Sequence, residues 1–176
     1  MTTMNEPRCY LLRNLCVCFK ELMMSGTPDE NLFTVQYNYW IETLNSILFR
    51  RIARLLLLLQ TLLACLLMTG TGPVPLWGGV LMLLTFIQCT YRPQGVAANA
   101  ALQADRYLSL IHLYPSVPPD ELLERLRFIE HNDSVYPQHL RNPAYNCACL
   151  AMGIPQDPLK HPSERLLCWL TGATLT

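Results

Sequence analysis

"LLLLLQTLLACLLMTGTGPVPLWGGVLMLLTFIQCTY", Leu55 to Tyr91, holds no charged residue, whereas all thirteen Lys and Arg, all thirteen Asp and Glu and all four His lie outside it. The formal net charge of zero conceals this segregation and argues against a general nucleic-acid-binding surface. An uncharged run of this length is read as membrane-spanning before it is read as a core. Midway along it, "TGTGPVP" (Thr69 to Pro75) gathers Gly70, Gly72, Pro73 and Pro75, the residues of a turn. Two transmembrane arms are therefore expected, roughly Ile52 to Thr69 and Val74 to Tyr91. Nine leucines follow Arg54 in the first arm, each favouring insertion by about 0.5 kcal/mol near the bilayer centre. Gly78, Gly79 and Gln88 dilute the second arm, but Trp77 and Tyr91 stand near its ends, where interfacial aromatics belong. Each arm has about 18 residues, near the lower limit for a hydrocarbon core about 30 Å thick, so Arg54 is expected to snorkel. The competing reading is a hairpin buried inside a soluble helical bundle.

Orientation follows from the flanks. Arg50, Arg51 and Arg54 precede the first arm, Arg92 follows the second, and the turn is uncharged. The positive-inside tendency then places both termini in the cytoplasm. Upstream, one short helix is expected over Arg8 to Met24, followed by a break at "SGTPDE". A second helix starts near Pro28, with Thr27 as its N-cap, and runs into the first arm. Phe33, Tyr37, Trp40, Ile41, Leu44, Ile47 and Leu48 recur along it at helical spacing, with Glu42 and Asn45 off that stripe.

Downstream, "AANAALQADRYLSLIHLY" is expected to continue the second arm as helix until "PSVPP" stops it. "DELLERLRFIEHN" then forms a short helix, with Glu121 and Arg125 four apart in the favourable order. Further helices are expected over Pro137 to Met152 and over "SERLLCWLTG", the latter capped by Ser163 and stopped by Gly172. The whole is an all-α fold: cytoplasmic helices over residues 1–51, a transmembrane hairpin over 52–92 and a cytoplasmic helical region over 93–176.

Chemistry-bearing motifs are few. Eight cysteines without a signal-peptide pattern read as reduced thiols rather than a disulfide framework. Cys16 with Cys18 and Cys147 with Cys149 raise zinc, but residues two apart on a helix diverge and the spacing is shorter than structural zinc sites use; packed thiols are preferred. His112, His131, His139 and His161 are scattered, as surface or capping histidines are. No phosphate-binding glycine loop or nucleophile motif occurs, so no enzymatic activity, cofactor or metal is expected. Within the arms, Gln60, Thr61, Thr85 and Gln88 are the candidate pore-lining or interhelical polar residues. Gln60 and Gln88 either bond each other within one hairpin or bond across subunits. Arg50, Arg51, Arg54 and Arg92 set the topology, and Phe33, Tyr37, Trp40 and Tyr145 are a candidate partner-docking face.

This layout resembles the SLATT group, small two-transmembrane effectors found beside nucleotide-producing or nucleotide-sensing partners in bacterial defence systems. The resemblance spans roughly Phe33 to Gly153. It rests on an amphipathic helix entering the first span through arginines ("LFRRIARLLLLL"), a short turn, a long helix leaving the second span ("ALQADRYLSLIHLY") and the segment "YPQHLRNPAYNCACLAMG", with an AYN element at Ala144 to Asn146. It implies a toxin that oligomerises and permeabilises the inner membrane when triggered. It also implies a cytoplasmic sensor or inhibitor protein as partner, such as a nucleotide-signalling protein or a retron reverse transcriptase with its RNA-linked DNA. The partner would hold the chain inactive, even soluble, beforehand, and this chain itself would not contact nucleic acid. A non-pore-forming membrane adaptor and a phage holin are the alternative expectations.

Overall fold

The computed structural model describes residues 30–70, 72–159 and 161–173. The expected helix over Arg8 to Met24, the cap at Thr27 and the Cys16–Cys18 pair lie outside them. Among the described residues six α-helices follow one another: α1 (Glu30–Met68), α2 (Val74–Tyr91), α3 (Pro93–Leu113), α4 (Pro119–Glu130), α5 (Arg141–Ala151) and α6 (Pro162–Thr171). Short 3₁₀ turns at Tyr114–Ser116 and Gln138–Leu140 join the later ones, and no strand occurs among the described residues.

α1 contains neither Gly nor Pro over its 39 residues, so nothing interrupts a rod of about 58 Å at about 1.5 Å per residue. It stops where Gly70, at φ 66°, takes a left-handed conformation. Pro73 then precedes α2, whose first turn holds Pro75, a position with no intrahelical N–H to lose. The expected continuity of the second arm into the downstream flank is not what forms. Arg92 adopts φ 40°, ψ 57°, its N–H still bonded to Gln88 O at 3.1 Å, and Pro93 opens a new helix. The cause is local, because the residue before a proline is pushed out of the α region.

Two apolar clusters build the polar half of the molecule around the first part of α1. Val35 and Tyr39 pack with Ala104, Tyr107, Leu110 and Ile111 of α3 and with Leu122 and Leu126 of α4. Ile41, Leu44 and Leu48 pack with Leu140, Ala144 and Cys147, against which Leu167 and Leu170 of α6 also lean. The small side chains Ala97, Ala100 and Ala104 let α3 lie close along α1. The two flanks of the hairpin therefore form one packed body rather than two.

Of the expected apolar stripe, Ile41, Leu44 and Leu48 are buried, but the buried arc extends beyond it. Phe33, Tyr37, Trp40 and Ile47 are only half buried, whereas Glu42 and Asn45 are fully buried along with Val35 and Gln36. α1 is wrapped on several sides, so its buried arc is wider than a single stripe and takes in polar positions. At α6 the expected Ser163 cap also shifts: His161 precedes the helix, and its N–H donates to Glu164 Oε2 at 3.2 Å. The expected stop at Gly172 holds, with φ 73° and its N–H bonded to Cys168 O at 2.8 Å. Arg125 Nη2 lies 2.6 Å from Glu121 Oε1, as their spacing implies.

Candidate functional site

The hairpin stands clear of the packed body. Leu55, Leu57, Leu58 and Leu62 are each more than half exposed, and so are Met82, Leu83 and Phe86 on α2; α2 buries no residue fully. Both helices are long and apolar enough to cross a membrane, and almost nothing of either apolar stretch is covered by protein. The alternative of a hairpin forming the core of a soluble bundle is therefore not the arrangement this chain adopts.

Between α1 and α2 runs a narrow seam. On α1 the partly or fully buried positions include Leu56, Gln60, Leu63 and Leu67, and on α2 Trp77, Leu81, Leu84 and Gln88, each set at the three- and four-residue spacing of one helix face, with Leu66, Gly78 and Ile87 partly covered beside them. Of the four candidate polar residues, Gln60 and Gln88 thus lie on the seam and Thr61 and Thr85 outside it. The two threonine hydroxyls donate to carbonyls one turn back, Leu57 O at 2.9 Å and Leu81 O at 2.8 Å, which satisfies them in an apolar setting. Gln60 is different. Its Nε2 is buried and has no hydrogen-bond partner, so the amide does not donate to Gln88. On the outer side of α2, Gly78 opens a shallow groove of about 490 Å³ running past Met82 and Thr85 to Cys89.

The four arginines gather at one end of the hairpin. Arg54 Nε donates to Arg50 O at 3.4 Å, and Arg51 Nη1 lies 3.5 Å from Trp169 O at the end of α6. Arg50 and Arg54 line a pocket of about 270 Å³ with Gln94, Ala97 and Ala98 of α3. None of the four forms an ion pair among the described residues, where Arg125 with Glu121 is the single one found. They make an uncompensated basic collar.

Below the collar, buried polar groups of α1 and α3 grip the segment between α4 and α5. Glu42 Oε1 accepts the Ser134 N–H at 2.8 Å, Asn45 Nδ2 donates to Val135 O at 3.3 Å, and Gln103 Nε2 donates to Asn132 O. Tyr107 donates its hydroxyl to Asp133 Oδ1 at 2.7 Å. Burial pushes the Glu42 carboxyl up to about 7, hydrogen bonding from Ser134 opposes that, and the neighbouring Asp133 adds to it. Asp133 is itself raised, mainly by burial. Glu42 Oε2, Asn45 Oδ1 and Gln36 Oε1 are buried without partners, so the network is under-satisfied. Beside it a crevice of about 570 Å³ opens between Phe49, Tyr91 and Arg106, floored by Asp133 and Val135. Sequence reasoning missed this network because it took Glu42 and Asn45 for the outer face; their burial depends on a segment about ninety residues away.

The candidate docking residues are largely engaged within the chain. Phe33 and Tyr145 meet edge to face with ring centroids 5.4 Å apart, and Tyr39 and Trp40 do the same. Tyr37 and Trp40 lean on the second apolar cluster. In the AYN element, Asn146 is buried and clamps the backbone of Asp157 from both sides, Nδ2 to its carbonyl at 2.8 Å and Oδ1 to its N–H at 3.0 Å. Cys147, Cys149 and Cys168 are buried and in no disulfide, and burial raises Cys149 and Cys168; Cys65 and Cys89 are exposed on the hairpin. No protein-family model, no curated protein and no solved structure matches the chain.

Proposed function

We propose that this protein is a membrane-disrupting effector whose hairpin crosses a bilayer, with both termini on the cytoplasmic side, and permeabilises it after self-association. Its leucine-rich exterior and its unpaired arginine collar support insertion in that orientation. One observation carries the further step. Gln60 Nε2 sits inside an apolar hairpin with no acceptor, at a penalty of about 1–3 kcal/mol for a buried unpaired donor. An arrangement that gives this amide a partner on another copy, or water in a breach, is favoured by about that amount, and a passive anchor has no use for it. Thr61, Thr85 and Gln88 are the other polar groups such an assembly would draw on. α1 runs unbroken from the buried Glu42 network into the hairpin, so a partner that shifts the flanking helices would move the span as a rod.

In this reading the chain is not an enzyme. Its partners are lipid, further copies of itself when active, and a cytoplasmic sensor or inhibitor protein of the kind found with SLATT-type effectors, which belong to antiphage defence and abortive infection. The test is membrane potential, followed by a fluorescent dye in cells on inducing the chain alone and then with its genomic neighbours. Depolarisation by the chain alone, suppressed by a neighbour, is the expected result. Gln60→Leu should insert normally and depolarise slowly; unchanged depolarisation would remove the amide from the mechanism. A normal potential in every combination would turn the reading to a membrane adaptor.

A further inference from the structure

α6 ends at the basic collar. Leu170 of its last turn, Ala173 just beyond it and Ile52 of α1 pack against the same apolar cluster, the Trp169 carbonyl faces Arg51 at 3.5 Å, and Gly172 lies against the same guanidinium. Leu55, the first of the exposed leucines, is one helical turn further along α1, about 6 Å beyond Arg51. Trp169 is nevertheless 75% exposed and Leu166, one turn before it, 56%. They share a face with the exposed Arg165, while the acid of this helix, Glu164, is buried and bonded to Asn142 and the His161 N–H. Phe128 is as exposed as Trp169 but belongs to α4 near Glu130, which Asn38 contacts. That point lies about 20 Å from Arg51 along α1. Height thus separates these two aromatic residues: Trp169 is level with the collar, as is the exposed Tyr91 beside Arg92, and Phe128 is not.

Resting on the membrane-spanning reading of the hairpin, we infer that α6 is an interfacial helix: its last turns lie in the headgroup layer of the bilayer that α1 and α2 cross. Trp169 and Leu166 enter the acyl boundary, and Arg165 with the collar arginines faces the phosphates of anionic phospholipids. A tryptophan gains most at that depth, where its ring is in apolar surroundings and its N–H is wet. A short amphipathic helix with basic and apolar residues on its outer side fits a surface rather than a span. The α6 contact with Arg51 lies about one helical turn from the first exposed leucine, Leu55, and the basic residues there are opposite in charge to an anionic leaflet. Three anchors, two spans and one surface helix, would then fix the polar body against the membrane.

The test is lipid quenching in vesicles of phosphatidylethanolamine and phosphatidylglycerol with brominated chains. With Trp40→Phe and Trp77→Phe, Trp169 is the one remaining tryptophan. Its emission should be blue-shifted and lost mainly to lipids brominated near the headgroup. In the chain lacking all three tryptophans, Leu58→Trp should lose emission to lipids brominated near the methyl ends. Emission from Trp169 as in water, unquenched while Leu58→Trp is quenched, overturns the inference and leaves the spanning hairpin standing. No quenching at either position overturns both. Because the substitutions could perturb folding, fluorotryptophan in the otherwise native chain gives a second measurement. A headgroup spin label should broaden the fluorine resonance that Trp169→Phe removes, and an unbroadened resonance overturns the inference.

Discussion

α1 is one helix in two environments, and its halves are opposite in kind. Over Glu30 to Leu48 the polar side chains Gln36, Glu42 and Asn45 are buried, while past Arg54 the side chains Leu55, Leu57, Leu58, Leu59 and Leu62 are exposed and Leu63 alone among the leucines is buried, on the seam with α2. A water-soluble domain hides leucine and displays glutamate; only its first half comes near that rule, and the second half inverts it. The difference teaches that burial and hydropathy report on the surrounding medium jointly. Exposed leucine beside buried amide is what a change of solvent along a single rod would produce, and in the proposed reading lipid is the second solvent.

The largest expected effects separate the halves directly. Leu44→Ala removes a side chain that is 2% exposed in the packed body and should lower stability in mild detergent by roughly 2–5 kcal/mol through the cavity it leaves. Leu58→Ala removes one that is 66% exposed, and the same unfolding measurement should move by less than about 0.5 kcal/mol. Equal losses would break the contrast. Leu58→Asp should instead disfavour membrane insertion by roughly 3–4 kcal/mol in a translocation assay. An unaltered inserted fraction would show that Leu58 does not meet lipid.

A smaller effect lies in the buried network. The folded-state Glu42 carboxyl is raised from 4.5 to about 7, so folding favours its protonated form. Its contribution is fully present below about pH 4.5 and is lost as pH rises through about 7. The wild-type chain should therefore lose roughly 1–3 kcal/mol between pH 5 and pH 8 relative to Glu42→Gln, which keeps an acceptor for the Ser134 N–H without the charge. Parallel pH profiles for the two proteins would place Glu42 in water. The smallest effect belongs to α6: Ser163→Ala should change helix stability by a few tenths of a kcal/mol at most, because Glu164 satisfies the His161 N–H. A loss near 1 kcal/mol would restore Ser163 as the cap.

How much of this was legible beforehand follows the range of each interaction. The hairpin, its turn and the positions of its arginines are written in local composition, since an uncharged run and a Gly-Pro turn need no distant partner. The unbroken first helix and the Glu121–Arg125 pair were legible for the same reason. The break at Arg92 was locally encoded too, in the Pro93 that follows, but the helix-forming residues beyond it were given more weight. Glu42 and Asn45 were not legible as buried groups, because Ser134 and Val135, their partners, lie 92 and 90 residues away. The unpartnered Gln60 amide is of the same kind: its environment is set by the seam with α2, whereas composition marked only its identity.

Cys65 and Cys89 allow the central claim to be measured with native residues, since both are exposed on the hairpin. In native membranes, labelling with a charged maleimide and mass spectrometry of each thiol compares these positions before and after denaturation in SDS. A charged reagent does not enter the hydrocarbon layer, so a thiol there does not meet it. Both should stay unlabelled until the membrane and fold are dissolved, then react fully. Labelling of Cys65 and Cys89 in intact membranes at the rate of a free thiol would contradict a hairpin embedded in lipid.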